Sequence, residues 1–382
     1  MGSPEALTFQ SSEPQLVHQA LTELLGGGPT SVFIRNPERD TALNGPLPDQ
    51  PVLVLETSGS TGTPKQVWLT PEALIFSATA TTQNLGKPGA WWQVLPSHYI
   101  AGVQVILRTL VSKTPLVIGD LSVAIVERFA SDYPTLAAHK ESGLAVYTSV
   151  VPTQLADLLD ASDSGRLDPN ALAVFDAVLV GGQRVEPSLI ERSRDYGLHI
   201  VRTYGAAETA GGCAWDGVPL PGVSVEIIDG RVAIAGPMLA GGYLGEDSAD
   251  DGFVHIHGTR WFVSSDLGSI DDGVLSITGR ADDVIVSGGL KVSLGEIERI
   301  LRETGAVSDA VVLAAPHPRW GVSPVVFTLA NPSNDTVREV VRREMGVAAQ
   351  PQRVITIDEW PLLSSGKLDR QALLERASTE LA

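Results

Sequence analysis

The chain has 382 residues, of which 43% are apolar and 19% charged. That is enough length for two or three domains, and the composition excludes a disordered or fibrous protein. Its net charge of −18 excludes a general binder of nucleic acid or of anionic membrane, because attraction to phosphates needs a basic face. A small anionic ligand in a local site is still compatible with that charge. Cys213 is the single cysteine, which excludes an intramolecular disulfide and a cysteine-rich metal centre. It reads as a small buried apolar residue.

Taken in order, the N-terminus lacks the basic-then-apolar run of a signal peptide. A helix is predicted over 14–25, followed by three glycines and a loop rich in Pro and Asn. Residues 51–55 read as a buried strand. A loop rich in Gly, Ser and Thr comes next, and then a helix opening at Thr70-Pro71-Glu72, where Thr caps and Pro takes the first helical position. Strands are expected at 115–118, 145–149, 177–180 and 199–203, separated by helices at 124–129, 153–159 and 187–196. This alternation implies α/β layers with parallel pairing. The apolar run at 100–111 is interrupted by Gln104 and Arg108, so no membrane span is expected. A soluble, cytoplasmic protein follows as an expectation.

From about residue 221 the texture changes to short alternating strands (223–228, 232–234, 274–277) punctuated by Gly-Asp turns, which suggests an antiparallel sub-barrel. A boundary is placed near 280. The expected fold class is therefore α/β: a large N-terminal lobe of α/β layers with a small antiparallel sub-barrel (1–280), and a smaller, mobile α+β lobe (281–382).

The most informative segment is Thr57 to Lys65, TSGSTGTPK, directly after a buried strand. Gly59 and Gly62 let the backbone turn tightly with N–H groups exposed, and the hydroxyls of Ser58, Ser60, Thr61 and Thr63 add donors. Lys65 adds a point charge. Together these suit phosphate oxygens. The glycine spacing is not that of a Walker A loop.

This loop resembles the signature of the acyl-adenylate-forming superfamily, S-G-[ST]-T-G-x-P-K-G, with Gln66 in place of the last Gly and Glu56 where Tyr is common. Further stations resemble the family in order. They are Gly181-Gly182-Gln183, Tyr204-Gly205-Ala206-Ala207-Glu208-Thr209, the G-P-x-x-x-x-G-Y of Gly236 to Tyr243, and the W-F…D-L-G run carrying Asp266. Gly279-Arg280-Ala281-Asp282 and the Pro361–Arg370 segment with Lys367 complete the series.

The resemblance implies an ATP- and Mg²⁺-dependent acid–thiol ligase with CoA as cosubstrate. It implies Lys367 and Glu208 as catalytic groups, with Glu208 also the Mg²⁺ ligand. Thr57, Ser58, Gly59, Ser60, Thr61, Gly62 and Lys65 would bind the phosphates. Gly182, Gln183 and Tyr204 would bind adenine, Asp266 and Arg280 would bind ribose, and Asp282 would be the hinge. Gly288 and Gly289 would flank CoA, while His98 and Gly205 would line the acid pocket. Ala207 replaces the family threonine that bonds the α-phosphate, so that bond is expected either to be lost or to come from backbone or from Thr209. The phosphate loop stands earlier in this sequence than is usual in the family, so a shortened N-terminal part is expected.

Arg108 lies inside an apolar helical run, where an arginine is expensive unless paired. It is expected either to face a second carboxylate of the acid or to pair with a structural Asp or reach the surface. The first option resembles the o-succinylbenzoate–CoA ligases of menaquinone biosynthesis. Alternatives are another aryl- or acyl-CoA ligase, a free-standing adenylation domain loading a carrier protein, a hydrolase using the S-x-x-K spacing of Ser364 and Lys367, and a non-catalytic nucleotide binder. His255 and His257 read as surface strand residues, and Arg338, Arg342 and Arg343 as a solvated helix face. The oligomeric state, a homodimer included, stays open.

Overall fold

A computed structural model describes residues 6–10, 14–37, 41–57, 65–245, 252–363 and 368–381. It divides into two compact units, one of residues 1–226, 233–263 and 272–275, the other of 227–232, 264–271 and 276–382.

The larger unit is built around a seven-stranded sheet. Its order is Val218–Pro219, Gly211–Trp215, Ile200–Ala206, Ala177–Gly181, Ala145–Val150, Gly89–Gln93 and Leu116–Ile118. The last five of these are mutually parallel. Such strands are covered on both faces and read as continuous apolar runs, as Val146, Val178 and Val180 show. On one face Trp92 packs against Phe129 and Phe175; on the other Trp91, Tyr147 and Val105 share a cluster. The chain leaves Gly89–Gln93 toward Leu116–Ile118 on one side and then crosses to Ala145–Val150 on the other. The strand order therefore reverses between 89–93 and 145–150, and open α/β sheets bind ligands at that crevice.

The helix Ile100–Ser112 covers this reversal and is buried continuously from Gly102 to Thr109. A Cβ on Gly102 would lie 2.2 Å from the Pro96 carbonyl oxygen, so only glycine lets the helix start press against that turn. The helix opening at Pro71 is capped as its sequence requires, Thr70 Oγ1 accepting from Ala73 N at 3.2 Å.

A second sheet holds Ala6–Gln10, Ser31–Arg35, Leu53–Glu56, Gln66–Leu69 and Gly242–Leu244. Local sequence predicts loop rather than strand for the first two, because Ser31–Arg35 is short and enclosed by turn residues. The helix expected over 124–129 runs Ile125–Glu141 and carries Pro134 inside it; an internal proline hides its full length from local pattern.

The smaller unit is α+β. Val311–His317 pairs antiparallel with Gly321–Thr328, which pairs parallel with Arg353–Thr356. Helices Leu294–Glu303 and Asn334–Met345 pack in one apolar cluster, and Arg370–Leu381 packs in another. Among the described residues no helix is long and apolar enough to cross a membrane.

Candidate active site

Arg108 sits over the strand-order reversal. Its residue is 4% exposed, Nη1 donates to Ser149 Oγ at 3.1 Å, and Cζ lies 4.6 Å from the Trp91 ring centre. Ser149 belongs to one strand flanking the crevice and Trp91 to the other. Among the described residues no carboxylate lies within ion-pair reach of Arg108, and its Nε has no hydrogen-bond partner. Burial alone pushes the guanidinium down to about 9. The surface and structural-Asp readings of Arg108 therefore fail. His98 is 2% exposed, with its ring 4.1 Å from that of Tyr99 in the turn before the same helix.

The phosphate loop is closed at its neck. Thr57 N donates to Lys65 O at 2.8 Å, and Lys65 N donates to Thr57 Oγ1 at 3.2 Å. Ser58, Gly59, Ser60, Thr61, Gly62 and Thr63 lie outside the described residues. The two departures from the family pattern, Glu56 and Gln66, face each other across the strand pair. Both hold the preceding loop: Thr41 donates to Glu56, Asn44 N donates to Gln66 Oε1 at 2.8 Å, and Gln66 Nε2 donates to Ala42 O at 2.7 Å. This clasp fastens a segment of no regular pattern to the base of the phosphate loop.

At the carboxyl ends of neighbouring parallel strands, Gly181 pairs with Thr203, one residue before Tyr204. A Cβ on Gly181 would meet Thr203 Oγ1 at 2.3 Å, so the strand ends close tightly there, and Gly182 turns with φ 79° toward Gln183. A Cβ on Gly205 would meet Gly211 O at 2.0 Å, which accounts for that glycine by packing across the hairpin.

Glu208 stands in the turn Ala207–Thr209, and its Oε1 accepts from Tyr243 Oη at 2.7 Å. Thr209 requires a correction. Its residue is fully buried, and Oγ1 accepts from Ala206 N and donates within the same turn toward Gly211 O at 2.7 Å. That hydroxyl holds the Glu208 turn and is not available to an α-phosphate. With alanine at 207 as well, the contact is either lost or left to backbone N–H groups.

In the smaller unit Arg280 grips two carboxylates. Nε and Nη2 form a fork on Asp282 at 2.8 and 2.7 Å, and Nη1 reaches Asp266 at 3.1 Å. The Asp282 hydrogen bonds hold the guanidinium well above its ordinary proton affinity. The adjoining Asp283 pairs with Arg370 at 3.0 Å, at the start of the helix that follows the lysine loop. Ser364 and Lys367 lie outside the described residues.

Gly288 and Gly289 form the turn of the Val284–Ser287 and Leu290–Ser293 hairpin with φ 56° and 84°. A Cβ on Gly288 would lie 2.0 Å from the Trp320 indole. Arg338 donates to Gln352 O, while Arg342 and Arg343 pair with Glu339 and Glu344. His257 occupies a left-handed turn position, and among the described residues no group of three His, Cys, Asp or Glu side chains could hold a metal ion. A single carboxylate is still sufficient for Mg²⁺, which takes one or two carboxylates and completes its shell with phosphates and water. Glu208 fits that role. Ser149, Trp91 and Tyr243 are the site neighbours that sequence did not single out; only Tyr243 had a visible signal, in the Gly-Tyr of its motif.

A doubly wound sheet followed by a small α+β unit, with a loop rich in Gly, Ser and Thr after a buried strand, is consistent with the acyl-adenylate-forming fold. The profile of the AMP-binding enzyme family matches residues 6–244, and that of the AMP-binding enzyme C-terminal domain matches 296–367; the chain belongs to this family. A relative from Mycobacterium tuberculosis, named a probable 2-succinylbenzoate–CoA ligase, is 35% identical over 97% of each chain. In fold, the chain is similar to an E. coli MenE variant solved with bound OSB-AMS, with a TM-score of 0.75, 23% identity, and coverage of 99% of this chain and 88% of that one. It is also similar to o-succinylbenzoate coenzyme A synthetase from Bacillus subtilis in complex with ATP and magnesium ion. There the TM-score is 0.72, with 20% identity and coverage of 97% of this chain and 89% of that one.

Proposed function

We propose that the protein is an ATP-dependent acid–CoA ligase that joins 2-succinylbenzoate to CoA through an acyl-adenylate, releasing AMP and pyrophosphate, as menaquinone biosynthesis requires. The observation that carries the choice of acid is the buried Arg108 with a hydroxyl and an indole beside it and, among the described residues, no carboxylate in reach. A substrate with a second carboxylate supplies the missing anion, and a bidentate guanidinium–carboxylate pair in a dry crevice is strong. The M. tuberculosis relative's name supports the same choice.

In the first half-reaction a carboxylate oxygen of the acid attacks the α-phosphorus of ATP. A P–O bond forms, and the bond to the bridging oxygen of pyrophosphate breaks. Charge gathers on phosphate oxygens, so the protein's task is positioning and electrostatics rather than covalent chemistry. Lys65 and the backbone of the 57–65 loop receive the phosphates. Lys367 steadies the carboxylate and α-phosphate, Tyr204 and the 181–183 strand end receive adenine, and Asp266, held by Arg280, receives the ribose hydroxyls. Mg²⁺, when bound at Glu208, neutralises phosphate charge.

In the second half-reaction the CoA sulfur, having given up its proton, attacks the acyl carbon, and AMP leaves with the electron pair of the broken C–O bond. Residues 1–280 and 281–382 act as the two functional bodies. Asp282 is the hinge between the half-reactions, and Gly288 and Gly289 flank the incoming thiol.

The test is a panel of aromatic and aliphatic acids with ATP, Mg²⁺ and either CoA or a phosphopantetheinyl carrier protein. The highest rate of thioester formation is expected with 2-succinylbenzoate and CoA. Equal rates with simple benzoates or fatty acids would overturn the choice of acid, and transfer only to the carrier would overturn the acceptor.

A further inference from the structure

Tyr243 touches both the group assigned to Mg²⁺, Glu208, and a group assigned to the phosphates, Lys65. Its hydroxyl donates to Glu208 Oε1 at 2.7 Å, and Lys65 Nζ lies 4.7 Å from its ring centre. Register explains the second of these: Gly242–Leu244 runs antiparallel to Gln66–Leu69 with Tyr243 opposite Val67, two residues beyond Lys65. The ring is braced by Phe253 at 5.8 Å, and Arg260 stacks on Phe253 at 4.3 Å. Arg260 in turn donates to Ala240 O at 2.7 Å and Gly241 O at 3.0 Å, and Ala240 N donates to Glu208 O at 2.8 Å. A closed circuit results, from the Glu208 side chain through Tyr243, Phe253 and Arg260 back to the Glu208 backbone.

A lysine and a glutamate next to one phosphate site face a simple hazard. Before the nucleotide arrives, opposite charges attract, and an ion pair between them withdraws both from the ligand. Tyr243 offers each a separate seat, the phenol hydroxyl for the carboxylate and the ring face for the ammonium.

We propose that Tyr243 is a positioning residue for the adenylation half-reaction: it fixes the Glu208 carboxylate for Mg²⁺ and keeps Lys65 apart from it until the triphosphate takes the lysine over. The inference rests on the ATP-dependent reading above and deepens it. The hydroxyl serves the metal side and the ring serves the lysine side, so the two functions separate by substitution.

Calorimetric ATP affinities, measured with Mg²⁺ and with chelator, give the strengthening that Mg²⁺ confers. In Tyr243→Phe that strengthening falls about tenfold while Mg²⁺-free affinity is unchanged, since the charge-assisted hydrogen bond to Glu208 is removed and the ring face stays. In Tyr243→Leu the Mg²⁺-free affinity also falls, by about threefold, because the ring face is gone. In a Glu208→Gln background, Tyr243→Phe causes no further change. A merely structural tyrosine would lower the melting temperature and leave the Mg²⁺ strengthening as in the parent, and that result overturns the proposal. A parent protein that binds no ATP overturns the underlying reading itself, whereas a parent that binds ATP with a normal Mg²⁺ effect and an unaltered Phe variant overturns only this inference.

Discussion

Two arginines are buried beside the same sheet, Arg108 at 4% and Arg128 at 5% exposure, and they are treated in opposite ways. Arg128 lies under the 94–123 segment with every arm engaged: Nε donates to Asp120 O at 2.7 Å, Nη1 to Val94 O at 3.1 Å and Nη2 to Val123 O at 2.6 Å. Arg108, over the crevice, has one hydroxyl and one indole face. Burial lowers the proton affinity of both, but opposing attraction from Asp120 and Asp132 supports Arg128, whereas among the described residues no charge supports Arg108. Equal burial therefore hides different purposes. A guanidinium whose three nitrogens each meet a carbonyl is fastening loops, and one short of an anion in a crevice is, on the reading proposed above, the seat for a substrate carboxylate.

The sharpest way to break this comparison is to remove each cation while keeping its volume. Arg128→Met strips three carbonyls of their donor and is expected to cost about 3–5 kcal/mol, read as a lower midpoint in urea unfolding. Activity per folded molecule is expected to be near that of the parent. Arg108→Met should do the reverse. The ligand-free fold sheds a poorly compensated buried charge and becomes no less stable, or more stable by about 1 kcal/mol, while kcat/KM for 2-succinylbenzoate falls about a hundredfold. Loss of stability in both variants would erase the distinction. Ser149→Ala gives the smallest effect. Arg108 keeps its charge and its indole and loses one hydrogen bond, so KM for the diacid is expected to rise about threefold, with kcat held and unfolding shifted by about 1 kcal/mol. A change confined to kcat would place Ser149 in a different role.

How much of this was legible in the sequence differs by residue. The helix Pro14–Leu25 and the Thr70-Pro71 start follow from local chemistry, and both formed where expected. The expense of Arg108 was legible too, because an arginine among Val105, Ile106 and Leu107 needs a reason. Its neighbours were not, since Ser149 is 41 residues away and meets it only once the sheet order is set. Glu56 and Gln66 stood out as departures, yet their shared purpose depends on a loop at 41–44 that carries no pattern of its own. Thr209 misled, because a hydroxyl beside Glu208 looks available until the backbone turn claims it. Tyr243 showed only as part of a motif; the strand pairing that carries it to Lys65 and Glu208 is long-range.

The most direct measurement crosses substrate with variant. Pyrophosphate release is followed for the parent and for Arg108→Ala, with 2-succinylbenzoate and with each of the two analogues that lack one of its carboxylates. The parent is expected to favour the diacid by about a hundredfold in kcat/KM over the analogue that retains the reacting carboxylate. In Arg108→Ala that preference should shrink to near unity while the residual rate on the analogue persists. A variant that still prefers the diacid as strongly as the parent would show that the second carboxylate is recognised elsewhere, and that the buried cation has another use.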